Sequence, residues 1–130
     1  MAVDPHSPVP IFQQIADHLR SALAAGVYRA GEAIPSLRAL AIELTVNPNT
    51  VQRAFEQLER EGLIQTRKGL GMFVTENGAA QAAKLSETTV YRTFAQGIRA
   101  GRAARLSAER IHGSFERAWE EAHTKARDGP

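Results

Sequence analysis

Residues 34–74 read IPSLRALAIELTVNPNTVQRAFEQLEREGLIQTRKGLGMFV, and the order of signals in this stretch decides the fold. Ser36 is a good N-cap residue. Behind it Leu37, Leu40, Ala41 and Leu44 recur at i, i+3, i+4 and i+7, the stripe of a short amphipathic helix. Asn47 and Pro48 start a second helix, because asparagine can accept from an orphan N–H and proline in the first turn sacrifices none. Val51, Ala54, Phe55 and Leu58 form the inward stripe of that helix, which runs to about Glu61 and is stopped by Gly62. Leu63–Arg67 and Met72–Thr75 read as strands. The tip between them, Lys68-Gly69-Leu70-Gly71, has glycines that permit positive φ and close backbone approach. Helix, tight turn, helix and hairpin is the order of a helix-turn-helix with a wing.

The flanks read as support for this module. Pro10 fits the first position of a helix that runs to about Ala25 and is stopped by Gly26, with Ile11, Ile15, Leu19, Ala22 and Leu23 on one face. Residues 1–9 hold Pro5 and Pro8 without periodicity and are expected to be extended or disordered. A short strand is expected near Ala33 and Ile34. Residues 76–84 read as a hinge running into a helix. Beyond it Val90 (or Tyr91), Phe94, Ile98 and Gly101 share one helical face. Ser107 caps a final helix whose inward residues are Ile111, Phe115, Ala118, Trp119 and Ala122. Residues from about Lys125 onward are expected to fray. Two helices of this size cannot cover such faces by packing on each other alone, so Phe94, Ile98, Ile111, Phe115 and Trp119 are expected to form a homodimer interface. The expected fold is mainly α with a small β-hairpin. A winged helix-turn-helix over residues 9–76 precedes a two-helix dimerisation region over residues 79–125.

Composition narrows the chemistry. Without cysteine there is no disulfide framework and no thiolate metal site. No apolar run approaches the roughly 20 residues that span a bilayer. The first residues, MAVDPHSPVP, lack the basic and apolar regions of a secretory signal, so a cytoplasmic protein without a membrane partner is expected. The net charge of +2 says little, but its distribution says more. Arg38 lies early in the second helix, Arg53 near the start of the third, and Arg67 and Lys68 on the hairpin. Those are places where a docked winged helix approaches phosphate. Glu56, Glu59 and Glu61 cluster at the far end of the third helix. At about 100° per residue Asn49, Arg53, Glu56 and Arg60 lie opposite the apolar stripe, and of these only Asn49 and Arg53 are near its N-terminal end. Thr50 and Gln52 flank them. Double-stranded DNA is the partner this pattern suits.

With those residues in view, the segment PIFQQIADHLRSALAAGVYRAGEAIPSLRALAIELTVNPNTVQRAFEQLEREGLIQTRKGLGMFV resembles the DNA-binding domain of GntR-type bacterial transcription regulators, in particular the YtrA subfamily. The likeness covers roughly residues 9–75. It rests on the opening PI-aromatic-x-QI, on G-x-x-x-P-S-x-R into helix two, on NPNTV-x-RA-aromatic in helix three, and on EGLI with G-x-G-x-FV in the wing. The resemblance makes Ser36 and Arg38 phosphate or base contacts. It makes Asn47, Asn49, Thr50 and Arg53 recognition-helix contacts, joined by Gln52, and Lys68, Gly69 and Gly71 the wing contact. Leu70 departs from the pattern, since small or polar residues are commoner between those glycines. The short helical tail suits the subfamily, whose members lack a large effector domain and are expected beside transporter operons. A small-molecule effector has room only at a domain junction or a dimer interface.

Plainer readings compete at several positions. Arg38 could be a solvated helix charge, and Arg53 could pair with Glu56 or Gln57. Asn47 and Thr50 could serve only the helix cap, and Gly69 and Gly71 only the turn. His6, His18, His112 and His123 make no metal-ligand spacing, and the last two are about 16 Å apart along one helix. Neither a metal nor a cofactor is expected. Gly97-x-x-x-Gly101 is a weak signal for a close helix crossing, and Phe115 and Trp119 read as interface before ligand cage. No catalytic residues are assigned, because no triad-like arrangement and no phosphate loop opening a helix is present. The expected function is sequence-specific operator binding by a dimeric repressor at an inverted repeat. The rival is a winged-helix protein-interaction module.

Overall fold

The computed structural model of the chain describes residues 1–127, with side chains through Thr124. Its elements are α1 (Ile11–Ala24), α2 (Leu37–Leu44), α3 (Pro48–Arg60), β1 (Ile64–Arg67), β2 (Gly71–Val74), α4 (Gly78–Ala103) and α5 (Ala108–Arg127). Of the residues expected to fray from about Lys125, those through Arg127 are still within α5 and residues 128–130 lie outside the described ones. The local signals act as read. Ser36 Oγ accepts from the Ala39 N–H at 3.0 Å, and Asn47 Oδ1 accepts from the Asn49 N–H at 2.8 Å with Pro48 behind it in the first turn. Pro10 stands at the cap of α1, one residue before the expected first position, where its carbonyl accepts from Gln13 and Gln14.

Between α2 and α3 the chain turns at Thr45, a β-branched residue at φ 55°. The Thr45 N–H donates to Ile42 O, and the Val46 N–H to Ala41 O. Left-handed backbone costs a residue with a Cβ about 1–2 kcal/mol. The bonds that close the turn, together with Leu44 and Val46 packed against the core, hold it there.

The chain divides into two compact units, Met1–Thr88 and Thr89–Pro130. In the first, Ile15, Ala16, Leu19 and Leu23 of α1 meet Leu40 and Ala41 of α2 and Val51, Ala54, Phe55 and Leu58 of α3. Leu63, Ile64 and Val74 from the hairpin close the same core. β1 and β2 are antiparallel in the register Ile64↔Val74, Gln65↔Phe73, Thr66↔Met72 and Arg67↔Gly71. The short strand expected near Ala33 and Ile34 is a single bridge from Ala33 to Phe73 on the other edge of β2, extended by Gly31 N–H to Val74 O and Ile34 N–H to Met72 O. Gly71 is therefore a paired strand residue and not part of the tip. The turn is Arg67–Leu70, closed by the Leu70 N–H on Arg67 O at 2.9 Å, with Gly69 at φ 79° and Gly71 at φ 113°.

Two expectations are corrected here. Residues 1–9 are not loose: Gln14 reaches back to donate to Asp4 O and Val9 O and accepts from the Asp4 N–H, and Val3 packs on the core. A polar side chain placed four residues into the helix supplies what proline-rich sequence lacks. The stretch 76–84 is not a hinge either, because α4 begins at Gly78, Ala82 is fully buried in the core and Leu85 packs against it. The small residues there allow the helix to sit close. The first turns of α4 thus complete the winged-helix unit. Arg20 of α1 is buried beside Leu19, and no local pattern in the sequence marks it. Only 7% exposed, it donates through Nε and an NH group to both carboxylate oxygens of Glu61 at 3.1 and 2.6 Å, and through its other NH to Asp17 at 2.8 Å. It ties α1 to the end of α3.

In the second unit α4 and α5 are joined by a turn at Arg105, φ 61°, with the Leu106 N–H on Gly101 O. Ser107 caps α5 by accepting from the Arg110 N–H at 3.2 Å. Gly101 is buried, and a Cβ on it would lie 2.8 Å from Ile111 Cγ1, whereas one on Gly97 would meet nothing. The crossing read as chance is real at Gly101 and absent at Gly97. Among the described residues no helix is long and apolar enough to cross a membrane.

Candidate nucleic-acid interface

The side chains singled out above sit on three consecutive pieces of the first unit: the start of α2, the start of α3, and the hairpin. Ser36 and Asn47 each use a side-chain oxygen as a cap, at the ends where the partial positive charge of their helices gathers. Arg38 and Asn49 are exposed, and Thr50 is half-buried with its N–H on Asn47 O. Gln52 donates to Glu56 at 3.2 Å. Lys68 and Gly69 are exposed at the tip, next to Leu70, whose side chain is 73% exposed.

The two remaining arginines behave in a way the sequence did not announce. The Arg53 guanidinium lies over the Phe12 ring of α1, 3.8 Å from its centroid. It does not pair with Glu56, which is taken by Gln52, or with Gln57. The Arg67 guanidinium lies over the Phe73 ring at 4.4 Å, a diagonal cross-strand neighbour. Neither guanidinium makes a hydrogen bond or ion pair among the described residues, so their N–H donors are left without an acceptor.

The nearby acids are engaged elsewhere. Glu59 accepts from the Thr66 N–H at 3.1 Å and the Thr66 hydroxyl at 2.9 Å, bracing α3 against β1, and Glu61 holds Arg20. Burial disfavours the Arg20 cation, but its bonds to Glu61 and Asp17 outweigh that and push its pKa above the ordinary arginine value. The ion pairs among the described residues are both made by Arg20, so Arg38, Arg53, Arg67 and Lys68 keep their charge unneutralised. No group of three or more His, Asp or Glu among the described residues could hold a metal ion.

The second unit carries the other predicted set. Phe94 and Phe115 meet edge to face at 5.6 Å, Phe115 and Trp119 lie 6.0 Å apart, and Trp119 and His123 4.6 Å apart. Ile111 is half-buried against Gly101. Yet Phe94 is 50%, Ile98 48%, Phe115 45% and Trp119 55% exposed. These residues come together, and as one chain they stay half open to water.

A three-helix core closed by a wing, with unpaired basic side chains on helix two, helix three and the hairpin, defines the class of winged helix-turn-helix regulators. Residues 11–74 match the family described as "Bacterial regulatory proteins, gntR family", and the chain belongs to that family. It is 34% identical over 110 residues to the HTH-type transcriptional repressor YtrA of Bacillus subtilis, covering 85% of each chain. A solved GntR family transcriptional regulator from Listeria monocytogenes superposes with a TM-score of 0.75 at 29% identity, covering 88% of this chain and 98% of that one. The structure of YtrA from Sulfolobus acidocaldarius gives 0.56 at 33% identity, over 72% and 95%. These likenesses place the chain in the YtrA subfamily and make it a transcription regulator.

Proposed function

We propose that this regulator is a homodimeric repressor that binds an inverted-repeat operator through the two winged helices. Its own neighbouring operon, of the transporter kind, is the first place to look for the site. The observation that carries this reading is the charge arrangement. Arg38, Arg53, Arg67 and Lys68 stand on the starts of α2 and α3 and on the hairpin and, like the other cations besides Arg20, make no ion pair among the described residues, while Glu56, Glu59 and Glu61 are each occupied within the fold. The name of the Bacillus subtilis relative, a repressor, supports the sign of regulation. Arg38 and the start of α3 read or position in the major groove, together with Ser36, Asn47, Asn49, Thr50 and Gln52. Arg67, Lys68, Gly69 and Gly71 hold backbone in the wing. The half-exposed aromatic face of the second unit joins the two copies.

Binding is expected to depend steeply on salt. Six to eight phosphates neutralised by the dimer give a log–log slope of about −5 to −7. Lys68→Ala is expected to flatten the slope on operator and random DNA alike, because a backbone contact carries no sequence information. Fluorescence anisotropy across a salt series measures both. A slope shallower than about −2 would put the basic surface off DNA and favour a protein-interaction module.

Arg38→Ala is expected to cost about 1–3 kcal/mol of operator binding if its contact is bidentate to a base. Stability should change by no more than about 0.5 kcal/mol, since the side chain is exposed and makes no internal bond. Arg53→Ala is expected to lose as much binding and, in addition, a stack worth about 0.5–1 kcal/mol. Thermal melts and anisotropy on the same samples separate the two effects, and wild-type affinity in either variant removes that arginine from the interface.

A further inference from the structure

We propose that Phe12, a residue of α1 outside the helix-turn-helix and the wing, is a positioning residue for DNA recognition: its ring holds the Arg53 guanidinium in place before DNA arrives. This rests on the reading that Arg53 touches DNA. The guanidinium carbon stands 3.8 Å from the ring centroid, so the cation lies on the face of the ring and not at its edge. The ring itself is held in place. Phe12 is half-buried, next to Ile11, which packs on the core, and one turn from the fully buried Ile15 and Ala16 that fasten α1 to α3.

A free arginine side chain loses much rotamer freedom when it docks, and a planar group already held loses less. Among the described residues the Arg53 guanidinium makes no hydrogen bond, so its contact with the ring leaves its N–H donors without an acceptor. No carboxylate competes for them, because Glu56, the acid one turn further along α3, accepts from Gln52 instead. What is left is a pre-aimed fork for a group with two acceptors side by side, either the O6/N7 edge of guanine or a phosphate.

The test is a double-mutant cycle on the full chain. Phe12→Leu keeps an apolar side chain and removes the ring face. It is expected to lower operator affinity by roughly 2- to 5-fold, the range an exposed cation–π contact supplies, and to leave the salt slope unchanged, since no charge is lost. In the Arg53→Ala background the same substitution is expected to do nothing further, and Phe12→Tyr, which keeps the ring, should bind like the wild type. Loss on the operator alone identifies a base edge as the target, and equal loss on random DNA identifies phosphate. Equal losses from Phe12→Leu with and without Arg53, or no loss at all, would overturn the proposal. Wild-type binding by Arg53→Ala would instead overturn the assignment of Arg53 itself. One measurement does not depend on how the variants fold. In the free wild-type protein the Arg53 side-chain protons should show an upfield ring-current shift by NMR, and ordinary arginine shifts would refute the stack as a solution feature.

Discussion

Trp119→Asp is expected to yield a folded monomer whose operator affinity has fallen by about 10²–10⁴-fold, the advantage that linking two binding modules confers. The argument starts from area. Phe115 meets both Phe94 and Trp119, all three remain about half exposed, and Val90, Tyr91 and Ile98 of α4 are exposed as well. So many large apolar side chains exposed on one helix pair are more than monomers usually leave in water. In the proposed dimer, pairing of two copies about a two-fold axis would cover them and would call for a palindromic site. A carboxylate among those side chains would be buried without a partner in the dimer, a cost of several kcal/mol. The winged helix should not notice, because no core residue of the first unit lies beyond Leu85. A chain ending at Thr88 makes the complementary test. Stopping at Gly78 would be a poor choice, since it removes Ala82 and Leu85 from the core. Sedimentation at micromolar concentration reads the outcome. A monomeric wild type, or a dimeric chain ending at Thr88, would show that the second unit is not the dimerisation element.

Glu61→Ala is expected to cost the winged helix up to about 3–5 kcal/mol, the range for one partner of a fully buried pair, because Arg20 is buried while Glu61 is only partly so. For a domain stable by about 5–15 kcal/mol that is a large share. Arg20 is nearly inaccessible and would retain only Asp17, whose side chain is half exposed. Two of its three hydrogen bonds would be lost at once. The penalty belongs to the stranded cation more than to the bond. Replacing both residues together, Arg20→Met with Glu61→Leu, is therefore expected to recover most of it. Urea titrations of the two variants measure this. A loss below about 1 kcal/mol in Glu61→Ala would mean that water reaches Arg20 and solvates it.

The helix-turn-helix was legible in the sequence because its signals act over three or four residues. Ser36 and Asn47 reach the next turn, Pro48 needs only its own ring, and the stripes of α2 and α3 repeat within one element. The wing was legible for the same reason, apart from the placement of Gly71, which strand pairing with Arg67 decided. So too were the exposed cations and the apolar faces of α4 and α5. A contact between side chains tens of residues apart has no such local mark. Arg53 finds Phe12 across two helices, Arg20 finds Glu61, and Gln14 ties down residues 4–9. Ala82 and Gly101 look like any small helical residue until a neighbour closes on them. Spacing and capping chemistry determined the elements and which face of each is apolar. Packing alone decided which charges are neutralised inside the fold and which are left for a partner, because that choice depends on distances between elements, and local sequence does not encode those.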